Sequence, residues 1–330
     1  MCAIRTQNAV QAAARALPRT GKVPIVRPMT DEMTIFDRRL VRRRRDRAAP
    51  GFKGFDFLFR EVADRLADRL LDITRTFPLA LELGCHDGGL LRILAGRGSI
   101  EHLVQCDLSE QMAHRADGLA VVADEEALPF DAPQFDLVLS NLSLHWVNDL
   151  PGALVQANRC LQPDGLFLGA ILGGDTLHEL RDCLMQAELD LCGGASPRLS
   201  PFAQVRDAGA LLQRAGFSLP VTDSDVITVT YENAFRLMHD LRGMGETGAA
   251  LSRPRHFARR ELFLKAAALY HERHADGDDR IPATFEVIYL HGWSPDESQQ
   301  QALRPGSAKT RLADALDTTE KGAGEKAGPD

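Results

Sequence analysis

Residues 81–107 read LELGCHDGGLLRILAGRGSIEHLVQCD, and few local folds accommodate that order. Residues 79–83 are a short apolar run that Gly84 ends. Gly88 and Gly89 open a helix carried by Leu90, Leu91, Ile93 and Leu94. Residues 103–106 form a second apolar run, stopped by Asp107. Strand, glycine turn, helix and strand make one βαβ unit. The glycine turn brings backbone N–H groups close to a small ligand. An acid at the tip of the next strand accepts from both hydroxyls of a ribose. The residue types then discriminate between ligands. A dinucleotide fingerprint needs glycine at 84, 86 and 89, but position 86 is His86, which crowds a pyrophosphate. Glu82, just ahead of the turn, disfavours an anionic ligand and favours a cationic one.

With Glu82, Gly84, Gly88 and Asp107 so placed, the stretch resembles the first motif of the class I methyltransferases, an acid followed by alternating glycines. His86 stands where that family has its middle glycine. The resemblance implies S-adenosyl-L-methionine as cofactor, whose sulfonium and ammonium suit an acidic pocket. It also implies an α/β, Rossmann-like fold: a seven-stranded, mostly parallel sheet with helices on both faces, the last strand antiparallel, plus a helical N-terminal lid and a helical insertion. Glu82 is then expected at the methionine end and Gly84, Cys85, His86 and Gly88 in the cradle. Asp107 is expected at the ribose, and Leu108 and Glu125 among the cofactor-binding residues. A third apolar run, 119–123, ends at Asp124 and Glu125, where Asp124 is expected at the adenine amino group. The LPF and FD passages at 128–136 lead into a fourth strand that delivers Ser140 to the ligand edge. The Asn-Pro-Pro-Tyr of amino-methylating relatives is replaced by Asn141-Leu142-Ser143-Leu144, which argues against adenine or glutamine nitrogen as acceptor. His145 is the candidate catalytic residue, as a base or an orienting group. Its structural alternative is that 144–147 simply cover the sheet end.

Charge is distributed unevenly. Residues 1–60 carry 14 Lys or Arg against 5 Asp or Glu, within a chain of net charge −7. The acidic remainder argues against a nucleic-acid surface. Residues 1–33 are expected to be a disordered or targeting extension, and 34–75 a basic helical lid with seven arginines between 34 and 49. The methyltransferase-like domain is expected at 76–291, with helical insertions at 176–200 and 232–280, and a mostly disordered tail at 292–330. In the turn at 162–165, Gly165 is expected to take the positive φ, and the two late strands are expected at 225–230 and 284–290. No apolar run reaches the roughly 20 residues of a membrane span. The six cysteines show no metal spacing and suit a reducing compartment. His274, Asp276 and His291 have the residue types of an iron-binding triad, but two of them lie in an acidic loop, so no metal is assigned.

Residues 35–38, 45–49, 142–151, 241–246 and 289–293 together resemble a narrower family, the complex I assembly factors that hydroxylate an arginine of a complex I subunit. The biotin-synthesis carrier-protein methyltransferases are similar over the core alone. The expected function is S-adenosylmethionine-dependent methyl transfer to a protein or carrier-bound substrate, a complex I subunit or an acyl carrier protein. The rivals are arginine hydroxylation and a non-catalytic, cofactor-binding assembly chaperone. The expected setting is a bacterial cytoplasm, peripheral at the inner membrane, or the mitochondrial matrix in a eukaryote.

Overall fold

The apolar runs become seven strands of one sheet in the computed structural model, which describes residues 34–130, 133–255, 257–300, 310 and 312–319. The expected extension at 1–33 lies outside the described residues. The chain opens with α1 (Arg38–Ala48), capped by Asp37, whose carboxylate accepts from Leu40 N. A short 3₁₀ segment, Ala49–Gly54, leads to α2 (Phe57–Arg69). The apolar stripe Leu58, Phe59, Val62 and Leu66 of α2 is buried, as its helical spacing dictates. Then follow β1 (Phe77–Leu83), α3 (Gly89–Leu94), β2 (Ile100–Asp107), α4 (Glu110–Ala113), β3 (Leu119–Val122) and β4 (Phe135–Asn141). Next come α5 (Leu150–Cys160), β5 (Leu161–Leu172), α6 (His178–Cys192) and α7 (Val205–Arg214). The sequence ends this part with β6 (Ser218–Tyr231), α8 (Ala234–Gly243), α9 (Arg260–His274) and β7 (Ile281–Trp293).

The strand order is β3-β2-β1-β4-β5-β7-β6. β1 to β5 pair in parallel, while β7 runs antiparallel to both neighbours. Successive residues of the inner strands feed opposite layers. Leu137, Leu139, Leu166 and Leu168 join the helices α2, α6, α8 and α9, whereas Val138 and Phe167 join α5 and α7. Chain direction across the sheet reverses between β1 and β4, and the crevice above that switch point is where open α/β sheets bind ligands.

Two local expectations are corrected. The late strands expected at 225–230 and 284–290 are far longer, because β6 is an edge strand whose outer face is polar, so Thr222, Asp223 and Ser224 hide its start. The left-handed residue of the 162–165 turn is Asp164 (φ 59°), not Gly165. An aspartate tolerates that conformation. Gly165 serves by lacking a side chain, since a Cβ there would stand 2.8 Å from the Gln162 carbonyl. The described residues up to Pro295 form one compact unit and those from Asp296 onward another, in which α10 (Leu312–Ala315) is the described helix. Among the described residues, no helix is long and apolar enough to cross a membrane.

Candidate active site

Because β1, β2 and β3 are neighbours, Glu82, Asp107 and the pair Asp124–Glu125 stand at or just beyond successive carboxyl ends. The loop between β1 and α3 is left-handed at Gly84 (φ 67°), His86 (φ 50°) and Gly88 (φ 78°). A Cβ on Gly84 would collide with the Ser143 side chain, so only glycine fits there. Cys85 N donates to Cys106 O at 2.9 Å, tying the loop to β2. His86 N donates to Asp107 Oδ2 at 3.1 Å, and Ser109 N to Oδ1 at 2.7 Å. Asp107 therefore organises the loop from below. His86 occupies a left-handed position because its ring is well anchored elsewhere. The ring stacks on Phe52 at 5.6 Å, meets Phe59 edge-on at 4.5 Å, and lies 3.2 Å from Asn141 O through Nε2. Burial, with Arg45 nearby, pushes its pKa down. The neutral ring thus keeps its proton on Nε2, facing a carbonyl that can only accept.

The carboxylates face arginines of α1. Arg45, 2% exposed, donates from Nη1 to Asp107 Oδ2 at 3.2 Å and Glu125 Oε1 at 3.1 Å, and from Nη2 to Ser143 Oγ at 2.8 Å. Arg38 donates to Asp124 Oδ1 at 2.5 Å and pairs with Glu125 Oε2. Burial alone would raise the Glu125 pKa; the Arg38 and Arg45 charges and the Ser143 hydroxyl overcome it and hold Glu125 well below the usual carboxylate range. Burial would lower Arg45, but Asp107 and Glu125 raise it. Of the two acids after β3, the inward one is Glu125, with a side chain 0% exposed, whereas that of Asp124 is 32% exposed and turned to Arg38. Of the remaining sequence candidates, Cys85 is buried within the loop, Leu108 is half-buried, and Ser140 donates its hydroxyl to Leu83 O at 3.0 Å.

Glu82 is 1% exposed and accepts from Gln105 Nε2 at 2.8 Å. Burial pushes its pKa up to about 8, despite the Gln105 hydrogen bond. A carboxyl whose folded pKa is raised contributes stability that is present in acid and lost as pH rises through the folded value. Glu82→Gln is therefore expected to flatten the fall in thermal midpoint between pH 5 and 8, measured by calorimetry. An unchanged slope would contradict the burial account.

His145 sits beside a second acid. Its Nε2 lies 3.0 Å from Glu246 Oε2, which also accepts from Trp146 Nε1 at 2.8 Å. The Glu246 side chain is 6% exposed. Burial would raise its pKa, but the His145 charge and hydrogen bond, with Arg45 and His86, hold it low. Glu246 and Trp146 line an apolar cavity of about 310 Å³ walled by β5, α6, α8 and β7. Sequence reasoning did not reach Arg38, Arg45, Ser143, Gln105 or Glu246 as site residues. For the arginines a signal existed: Arg38, Val41, Arg45 and Ala48 share one helical stripe, and the stripe that holds Val41 is the buried one. His274, Asp276 and His291 form no metal-sized cluster among the described residues.

A family profile described as a methyltransferase domain matches residues 81–169. The chain is 46% identical over 283 residues to "Arginine-hydroxylase NDUFAF5, mitochondrial" of Homo sapiens, covering 84% of this chain and 81% of that protein. It is 43% identical over 289 residues to the protein of the same name in Danio rerio, covering 86% and 89%. It is 35% identical over 282 residues to a "Malonyl-[acyl-carrier protein] O-methyltransferase" of Methylovorus sp., covering 81% and 92%. Among solved structures, YcgJ of Bacillus subtilis superposes with a TM-score of 0.50 at 12% identity, over 70% of this chain and 99% of that one, a likeness of fold.

Proposed function

This chain belongs to the family of the NDUFAF5 arginine hydroxylases, and on that premise we propose that it binds S-adenosyl-L-methionine over β1, β2 and β3 and modifies an arginine side chain of a protein. In fold and domain it is an S-adenosylmethionine-dependent methyltransferase-type enzyme. One observation carries the cofactor reading. The N–H groups of Arg45 already donate to Asp107, Glu125 and Ser143, so these side chains stand ready as acceptors for the hydroxyl and amino donors of a nucleoside. Asp107 would hold the ribose and Glu125, beside Asp124, the adenine. Glu82 would take the ammonium, ionising as it does so. Gly84 to Gly88 would form the cradle. When bound, the cofactor supplies a methyl group on a sulfonium, an already activated leaving group, so the chain's own work is to place the acceptor and exclude water. His145 and Glu246 stand where an acceptor would be oriented.

Hydroxylation is the second reading, favoured by the name of relatives that are 43% and 46% identical, arginine hydroxylases. A carrier-borne acyl acceptor has weaker support, from a relative at 35%. The site of action would be a bacterial cytoplasm beside the inner membrane, or the mitochondrial matrix of a eukaryote, and the protein acceptor a complex I subunit. Mass spectrometry of complex I subunits, with and without the gene, tests the reading. An arginine gaining one methylene only in the presence of the gene supports methylation, and one gaining one oxygen supports hydroxylation. An unmodified proteome, with full complementation by an Asp107→Ala variant, would make the chain a binding chaperone instead.

A further inference from the structure

Two cavities adjoin beside α1 and α8, and their linings differ in kind. The larger is the apolar cavity of about 310 Å³, a size within the usual range of small-ligand pockets. Leu177, Leu180, Leu184, Met238 and Phe263 are among its walls. The neighbouring cavity, of about 240 Å³, is lined by Arg44, Arg47, Arg242 and Thr247. Arg44, Arg242 and Thr247 line both spaces, so the two meet at those residues. Arg47 and Arg242 are exposed, and neither has an anionic partner among the described residues. Arg44 gives one hydrogen bond to the Thr247 carbonyl, and Arg253, also in the apolar lining, has Asp37 at 3.9 Å. Burial, then the Arg253 and Arg47 charges, lower the Arg44 pKa to about 10, as expected where cations gather without matching anions.

The apolar lining is also short of acceptors. Its buried polar atoms without a partner among the described residues are Arg198 Nε and Ser200 Oγ, the first a donor and the second able to donate. Ser200 itself is 5% exposed. The one carboxylate in the lining, Glu246, is engaged by His145 and Trp146 and feels the Arg45 charge, so it calls for no further cation. The missing complement is an anion rich in acceptor oxygens and joined to an apolar body. A carboxylate offers two oxygens, which one guanidinium fork satisfies; three guanidinium groups around one cavity match the three terminal oxygens of a phosphate monoester. We propose that the paired cavities bind a single-chain alkyl phosphate: Arg44, Arg47 and Arg242 hold the phosphate, and the chain lies along Leu180, Leu184, Met238 and Phe263. This site is separate from the acids at the strand tips, and it stands whichever group the enzyme transfers.

Isothermal titration calorimetry of the full chain, with no cofactor added, tests the site. The probes are octyl phosphate, butyl phosphate, inorganic phosphate and octyltrimethylammonium, each kept below its micelle-forming concentration. Every methylene taken into an apolar lining tightens binding about fourfold. Octyl phosphate is therefore expected to bind once per chain, at least about a hundredfold tighter than inorganic phosphate, with butyl phosphate between them. Octyltrimethylammonium, with the same chain and the opposite charge, is expected to give no saturable heat. Arg242→Glu is expected to weaken octyl phosphate about tenfold or more. Its thermal midpoint should stay close to the parent's, because Arg242 is exposed and holds no described partner. Equal affinity for octyl and inorganic phosphate would reduce the site to a bare cation cluster and overturn the proposal. So would saturable binding of octyltrimethylammonium, an Arg242→Glu variant that binds octyl phosphate like the parent, or heat seen only once micelles form.

Discussion

Asp107→Ala weakens S-adenosylmethionine binding about a hundredfold, by isothermal calorimetry, if the tip of β2 holds the ribose. Hydrogen bonds to a charged acceptor contribute about 1.5–3 kcal/mol each, and two ribose hydroxyls would be lost together. A loss of about 3 kcal/mol corresponds to about two orders of magnitude in Kd. The alanine also withdraws the oxygens that hold His86 N and Ser109 N, so the Gly84 turn loses its support from β2. Both effects act in one direction. Folding should survive, because Arg45 keeps Glu125 as a buried counter-charge. A variant that binds within fivefold of the parent would remove Asp107 from the cofactor site.

Arg45→Met is expected to act oppositely on stability and on affinity. Removing one partner of a buried ion cluster costs about 3–5 kcal/mol, because Asp107 is left without its guanidinium and Glu125 keeps only Arg38. At a few degrees per kcal/mol, the thermal midpoint of the ligand-free protein should fall by about 10 °C. Arg45 occupies the same carboxylate oxygens, Asp107 Oδ2 and Glu125 Oε1, that a nucleoside would need. The parent must therefore displace a guanidinium before it binds, and the methionine variant need not. S-adenosylmethionine should bind the variant more tightly and raise its midpoint by more than it raises the parent's. Weaker binding by the variant would mean that Arg45 supports the cofactor rather than competing with it.

The sheet was legible because its inner strands are short, apolar and bounded by glycine or acid, as at 79–84 and 103–107. The strand tips were equally visible, since a carboxylate ending an apolar run has few structural reasons to be there. The two late strands blurred at their ends, because an edge strand's outer face reads like a loop. The arginines of α1 were misjudged for a different reason. A run of seven cations reads as solvated surface, and the stripe that two of them share with Val41 does not say what they meet, a buried row of acids. Glu246 was hidden by distance along the chain: its partners lie 100 and 101 residues away, and no local periodicity encodes such a contact. Glu125 and Asp124 are adjacent in sequence, and only the turn after β3 decides which one faces inward.

Arg44 and Arg45 are consecutive residues on one short helix. The first borders the apolar cavity and fastens the Thr247 carbonyl beside Glu246, while the second lies in the row of acids at the strand tips. A helix backbone is stiff, so any movement of α1 as a body would disturb the apolar cavity and the row of acids together.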